Sequence, residues 1–440
     1  MLPLKTILYL TLFCLALVVS VFQNPIVGIY GYLATYNVNP LGQWWGRFLP
    51  GWAARYSFWL ALAIAMGIAF NYSKLRFKRF FETQELLLIL FVGVIWASVF
   101  LGQGSGIDYN VMKMTKVAIV LLMASHIITT RRYFQGMIWV FVLSGLYLGY
   151  ELYSGSGAYR GGRFHAGVGG SDFGEGNFLA AHFGILLPFI GVMLIKGNWK
   201  VRVVCVLAAA FVANAIVITQ SRGIFVGLAA GLLAAVFFTM RLKGYRKKVL
   251  ALIFIGLLGV VYVADDNFWN RMRTIQIEED GVRDRSAEGR VEAWHAALAM
   301  ARDYPLGVGV GQFFGHAGVY VPEAAGRDTH NTYLRCLAEL GFHGLLVLIL
   351  MIFTSFLMCR RIEIESAKLA PEIGRFFLLN AYAIKLALVV YLVTAMFISS
   401  VYIEEMYWLL MMPVFLKRAM ENEVEDNRTE EKIRQIVGDA

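Results

Sequence analysis

Charge is scarce in this sequence. Asp, Glu, Lys and Arg make up 16% of its 440 residues, against about 25% in an ordinary soluble domain. With 58% hydrophobic residues and repeated apolar stretches long enough to cross a bilayer, the deficit excludes the pair of soluble domains that length alone would suggest. Cysteine is scarce too. Cys14, Cys205, Cys336 and Cys359 are scattered, which excludes a disulfide framework and a metal-type spacing. A cleavable leader is not evident, because Val21-Phe22-Gln23-Asn24-Pro25 has no small-x-small site; the first apolar run is read as a span. No repeat of 20–50 residues is visible. The formal charge of +10 does not imply nucleic acid, since the basic residues sit in short loops between apolar runs.

What remains is the pattern of an all-α polytopic membrane protein with about twelve transmembrane helices. They fall near residues 5–22, 54–70, 84–102, 111–128, 134–152, 177–195, 201–219, 223–240, 248–264, 336–358, 376–399 and 403–417. Five alternate loops are rich in Lys and Arg: Lys74 to Arg79, Arg131-Arg132, Lys196 to Arg202, Arg241 to Lys248 and Arg360 to Arg375. The positive-inside rule makes these loops cytoplasmic and carries both termini to the same side. Residues 25–40 are apolar but short and broken by Gly and Asn, so an interfacial or re-entrant segment is expected there, beside Trp44, Trp45 and Trp52. The chain divides into nine spans over 1–264, an outer segment 265–335, three spans over 336–417 and a cytoplasmic tail 418–440.

Three polar stretches then lie outside: 23–53, 154–176 and 265–335. The stretch Asp265 to Leu334 has seven arginines (Arg271, Arg273, Arg283, Arg285, Arg290, Arg302, Arg327) and no lysine. Guanidinium groups stay charged and offer parallel donors to phosphate or carboxylate. The same stretch holds eleven acidic residues, among them Glu278, Glu279 and Asp280, so most of these arginines are expected to pair with acids. Ser286 is placed to cap a helix through Ala301, with Val291, Trp294, Leu298 and Ala301 on one face and Arg290 in the first turn. The run Gly307-Val-Gly309-Val-Gly311 lacks the strand–turn–helix setting of a dinucleotide site.

Residues 154–176 are glycine-rich, with Arg160, Arg163, His165, Asp172 and Glu175 as polar heads. They suit either a flexible loop or donors to an anion. Arg222 stands in Ser221-Arg222-Gly223 between two spans, where a charge is costly. It either reaches the headgroups or serves a site, with Asp265, Asp266 and Glu339 as candidate partners. His330 sits just before the tenth span, where a neutral imidazole can take a proton from a hydroxyl. His165, His295, His316 and His343 compete for that role.

Taken in order, Gly162-Arg163-Phe164 with Asp172 and Asn177, Ser221-Arg222-Gly223, Gly289-Arg290-Val-Glu-Ala-Trp294, Pro305-Leu-Gly307-Val-Gly309-Val-Gly311-Gln-Phe313, His330-Asn331-Thr-Tyr333-Leu334 and Glu339-Leu-Gly341 resemble the O-antigen ligase/polymerase superfamily. The resemblance covers about residues 150–345 by motif and the whole chain by span count. It implies a GT-C-like, metal-independent, inverting glycosyltransferase of a bacterial inner membrane, without cofactor, working on the periplasmic side. The implied donor is a glycan on undecaprenyl diphosphate. The implied acceptor is a hydroxyl, on lipid A core for a ligase, on a lipid-linked glycan for a polymerase or on protein for a third branch. By resemblance, Arg222, Arg290 and Arg163 grip the diphosphate and His330 is the general base. The sequence has no Asp-x-Asp metal pair on the outer face, since Asp265-Asp266 is adjacent rather than spaced. A transporter of lipid-linked sugars is the competing class, but transporters place charge mid-span and show repeats.

Overall fold

The structure, a computed structural model, describes residues 2–76, 81–104, 106–240, 242, 244–264, 266–273 and 285–438. Arg283, Glu278, Glu279 and Asp280, together with Lys78, Arg79, Arg241, Lys243 and Asp265, lie outside the described residues. The helices are α1 (Leu4–Phe22), α2 (Ile26–Val38), α3 (Tyr56–Phe70), α4 (Thr83–Leu101), α5 (Tyr109–Ile127), α6 (Arg131–Tyr153), α7 (Gly176–Lys196), α8 (Trp199–Thr219), α9 (Arg222–Thr239), α10 (Arg246–Val263), α11 (Asp266–Arg273), α12 (Arg285–Asp303), α13 (Phe313–Tyr320), α14 (Thr332–Ser366), α15 (Pro371–Thr394) and α16 (Glu404–Gly438). A small antiparallel hairpin, β1 (Ala158–Arg160) and β2 (Arg163–Ala166), occupies the glycine-rich stretch between α6 and α7. The molecule is an all-α polytopic membrane protein. Among the described residues, ten helical segments are long and apolar enough to cross a bilayer. Helix α10 and the first half of α16 fill the remaining two expected spans and carry more charge at their ends.

Polar residues stop and start these helices. Asp108, Thr130, Asn198 and Asn331 each accept a hydrogen bond from a backbone N–H in the first turn of the helix they precede, and Glu82 with Glu85 forms a capping box on α4. The basic loops gather at one end of the bundle. Arg76 pairs with Asp426, Arg131 with Glu423 and Lys417 with Glu82. Helix α16 therefore runs unbroken past residue 418, and this continuation is docked rather than loose.

The first three helices correct the expectation for the N-terminus. The Asn71 side chain, at the end of α3, donates to the Val21 carbonyl at the end of α1, and Phe22 stacks on Phe70. At the other extremity, Thr6 donates to the Trp45 carbonyl, and Lys5 lies 4.0 Å from Glu151 at the end of α6. Helices α1 and α3 are thus parallel, and α2 runs back between them. Tyr30 of α2 meets Tyr133 near the basic end, while Tyr36 reaches Asp172 near the opposite one. Residues 26–38 are a buried crossing helix, not an interfacial segment, and the two chain ends lie at opposite ends of the bundle. The short helix, about 20 Å long, suffices because turns over residues 39–55 complete the depth.

Segment 285–331 packs as a small cap on α14. Ala293, Ala296, Ala297 and Met300 form the buried face of α12, with Val308, Phe313, Ala317 and Ala338 beneath. Of the face expected from the larger side chains, Val291 and Leu298 are exposed while Trp294 is half-buried and Ala301 buried, so the buried stripe is shifted toward the alanines. Small alanines let α12 come close to its neighbours, and that decides which face turns inward. The helix begins at Arg285, so Ser286 lies in its first turn rather than ahead of it.

The glycine run lies along a kink in α14. Val308 and Gly309 donate to the carbonyls of Ala338 and Glu339, and Phe342 donates to the Pro305 carbonyl. Gly341 has φ 70°, and a Cβ there would collide with the Pro305 carbonyl. These glycines are where two backbones touch.

Candidate functional site

Four expected residues, Arg163, Arg222, Arg290 and His330, are all half-buried at the end of the bundle opposite the basic loops. That exposure suits side chains that are anchored yet reachable. Arg163 opens β2 and donates from Nε to the Thr219 carbonyl (2.8 Å) and from a terminal nitrogen to Asn177 Oδ1 (2.9 Å). It thereby caps the C-terminal end of α8, where carbonyls and the helix dipole favour a cation. Two residues link that cap to α9. Gln220 takes the left-handed conformation (φ 45°), Ser221 is extended and buried, and Arg222 is the first residue of α9. One tight turn therefore brings the Arg163 and Arg222 positions together.

Helix α9 in turn lies on the loop after α15. A Cβ on Gly223 would press on Phe397, and one on Gly227 would collide with Thr394. The same loop receives the start of α14. Thr332 donates its N–H to the Ala395 carbonyl (2.9 Å) and its hydroxyl to the Ile398 carbonyl (2.7 Å). Thr329 and Ser399 share a hydroxyl hydrogen bond of 2.8 Å, as do Thr332 and Ser400. Between these tethers stands His330, with φ 44°. Among the described residues only Asn39, Gln220 and His330 hold a positive φ without being glycine. Such a conformation costs about 1–3 kcal/mol and persists where its surroundings enforce it.

Arg290 is joined to this turn through its own helix. Trp294, one turn further along α12, donates its indole N–H to the Thr329 carbonyl (2.8 Å). Gly289 lies against the guanidinium of Arg327, which pairs with Glu292 at 3.0 Å. Arg327 is thus one island arginine matched to an acid, as its composition led one to expect.

Other candidates resolve differently. Asp172 is buried, pairs with Lys113, and accepts from the Tyr36 hydroxyl and the Glu404 backbone N–H, both at 3.0 Å. It ties elements together rather than heading a loop. Glu339 is buried as well. It accepts from the Tyr402 hydroxyl (2.7 Å) and the Phe313 N–H (3.2 Å), and Arg335 lies 3.4 Å away. Its carboxylate is therefore committed to the cap of α13 and to Arg335 rather than standing by for Arg222. Burial, and next the Glu339 carboxylate, push the Tyr402 hydroxyl well above its usual pKa, which keeps it a neutral donor. Arg335 also stacks on Phe314 and Tyr402 (4.9 and 5.7 Å to the ring centres) and pairs with Asp328 at 3.4 Å. Of the competing histidines, His165 and His295 are exposed, and His316 is bonded to the Gln312 carbonyl of its own turn. Among the described residues, no three His, Cys, Asp or Glu side chains gather as a metal-ligand set.

Sequence reasoning missed Thr329, Thr332, Ser399 and Ser400. Hydroxyl residues near span ends carry no periodic or charge signal, and the paired residues lie 70 and 68 positions apart.

The geometry defines a class: a helical membrane protein with half-buried arginines and a histidine at one end, beside a small folded cap. Residues 207–349, which contain Arg222, Arg290 and His330, match the family described as O-antigen ligase. That match supports a place for the chain in the O-antigen ligase superfamily. No curated protein matches the chain.

Proposed function

We propose that the chain is an inverting glycosyltransferase of a bacterial inner membrane. It moves a glycan from undecaprenyl diphosphate to an acceptor hydroxyl on the periplasmic side, with lipid A core as the acceptor. The observation that carries this reading is the coincidence of the family match with one connected set of elements. The Trp294–Thr329 bond joins α12 to the turn at 328–332, the Thr332–Ala395 bond joins that turn to the loop after α15, and α9, which begins at Arg222, lies on the same loop through Gly223 and Gly227.

In this mechanism His330 removes the acceptor hydroxyl proton as the oxygen attacks the anomeric carbon. The bond from that carbon to the diphosphate oxygen breaks, and the configuration inverts. Negative charge grows on the leaving diphosphate, where Arg222 and Arg290 meet it, with Arg163 as a third donor. Arg163 already spends two of its donors on Thr219 and Asn177, so its share is smaller. No carboxylate nucleophile is needed, because a single displacement completes the transfer. The reaction proceeds without a metal. The basic loops at the far end of the bundle fit a periplasmic site and a cytoplasmic C-terminal helix, with the N-terminus periplasmic.

The test is transfer by the purified chain from an undecaprenyl-diphosphate glycan to lipid A core, to a second lipid-linked glycan or to a protein, with and without chelator. Lipid A core should be glycosylated, chelator should make no difference, and His330→Ala and Arg222→Ala should each reduce transfer to a small residual rate. Transfer only to another lipid-linked glycan would make the chain a polymerase. Passage of intact donor across a vesicle wall without transfer would make it a transporter.

A further inference from the structure

The turn carrying His330 is clamped from both sides by hydroxyls that no substrate can reach. Thr329 and Ser399 share one bond of 2.8 Å, and Thr332 and Ser400 another. The Ser400 N–H donates to Thr332 Oγ1 at 2.9 Å, and Ser399 also donates to Asp328 Oδ1 at 2.7 Å. Thr329, Thr332 and Ser400 have no exposed surface, and Ser399 has 6%. A φ of 44° is uncommon for any residue but glycine and carries a strain cost even for histidine, which the surroundings offset by holding the turn. The residues that do so belong to the loop after α15, which lies outside the family-matched stretch and also supports α9 beneath Arg222.

We propose that Ser399 and Ser400 are positioning residues, which act on the transfer step by fixing the backbone of His330 through Thr329 and Thr332. The proposal rests on the reading of His330 as general base. A base held by one flexible turn loses its alignment with the acceptor hydroxyl; one pinned on either side, at Thr329 and Thr332, keeps it. The effect therefore belongs in turnover and not in substrate binding.

The experiment uses the full-length purified chain with the donor and lipid A core. Ser399→Ala and Thr329→Val are each expected to lower kcat about 10- to 100-fold, the scale of a small misplacement, with KM for either substrate unchanged. Ser399→Thr and Thr329→Ser keep the hydroxyls and should restore the rate. The double variant Thr329→Val/Ser399→Ala should fall short of the product of the two single effects, since both singles lose the shared bond while each also loses one of its own, to Asn331 or to Asp328. In a His330→Ala background, Ser399→Ala should have no further effect on the residual rate. Wild-type turnover by Ser399→Ala beside an inactive His330→Ala overturns the clamp while leaving the base in place. Full turnover by His330→Ala overturns both. A slow Ser399→Ala that also melts early, or that Ser399→Thr fails to rescue, assigns the serine to stability alone and overturns the proposal as well. So does a defect confined to KM.

Discussion

The indole of Trp294 donates to the main-chain carbonyl of Thr329 across 2.8 Å. The bond joins the helix that carries Arg290 to the turn that carries His330, so two residues far apart in sequence share one support. Replacing Trp294 with Phe keeps the ring but deletes the donor. Transfer should fall about tenfold through misalignment, while stability drops by only about 1–2 kcal/mol for the unmet carbonyl. Turnover and thermal melting of the detergent-purified variant measure the two separately. Unchanged turnover would show that α12 is positioned by its alanine face alone.

Arg222 should not tolerate lysine. A guanidinium presents two parallel donors to a phosphate, an ammonium only a point charge. Arg222→Lys is expected to retain its fold and its place at the start of α9 while losing at least about tenfold in transfer, a deficit of about 1.4 kcal/mol in the transition state. Initial-rate measurements at several donor concentrations check this. Near-normal rates would mean that charge alone suffices at this position.

Gly341 has no substitute in its present conformation. With φ 70° and ψ −173° it occupies a region that is essentially reserved for glycine, and the Pro305 carbonyl stands where a methyl group would go. Gly341→Ala should destabilise the chain by about 3 kcal/mol or more, seen as a lower melting temperature. The cap should loosen from α14 at the same time, seen as faster proteolysis between residues 303 and 331. An equally stable alanine variant would mean that α14 can straighten without cost.

The parallel arrangement of α1 and α3 fixes which side Lys5 faces. In a Cys14→Ser background, Lys5→Cys should react with a membrane-impermeant maleimide added from the periplasmic side. A cysteine in place of exposed Glu425 should require access from the cytoplasm. Labelling of both from the cytoplasm would restore the arrangement that charge counting alone implies.

Much of this architecture could be read in advance. Twelve apolar runs each correspond to a helix, and the basic loops marked one end of the bundle. Helix α2 escaped because length was the criterion. Its 13 residues, interrupted by Gly28 and Gly31, fall short of a bilayer, and only the neighbouring α1, α3 and α6 make it a crossing. Those same glycines admit Ser20, Ile64 and Leu60 to close contact, so what looked like a break is a packing surface. The α12 face was misread for a related reason: large apolar side chains signal burial only when the partner leaves room for them. For the candidate site, Arg222 was conspicuous because a charge between two spans is unusual. The hydroxyls of Thr329, Thr332, Ser399 and Ser400 were not, since their meaning arises only when two distant turns meet.

The loop at 394–400 is made late. A ribosome has finished α9, α12 and the turn of His330 well before it reaches Ser399 and Ser400, and α10, which leads into the cap, has no buried residue to hold it in the meantime. The elements that carry Arg222 and His330 therefore lack their common support until the α15–α16 connection has been made. Assembly of this end of the bundle is then a late event of biogenesis. A chain released before that point would be largely helical but would lack the support beneath the His330 turn.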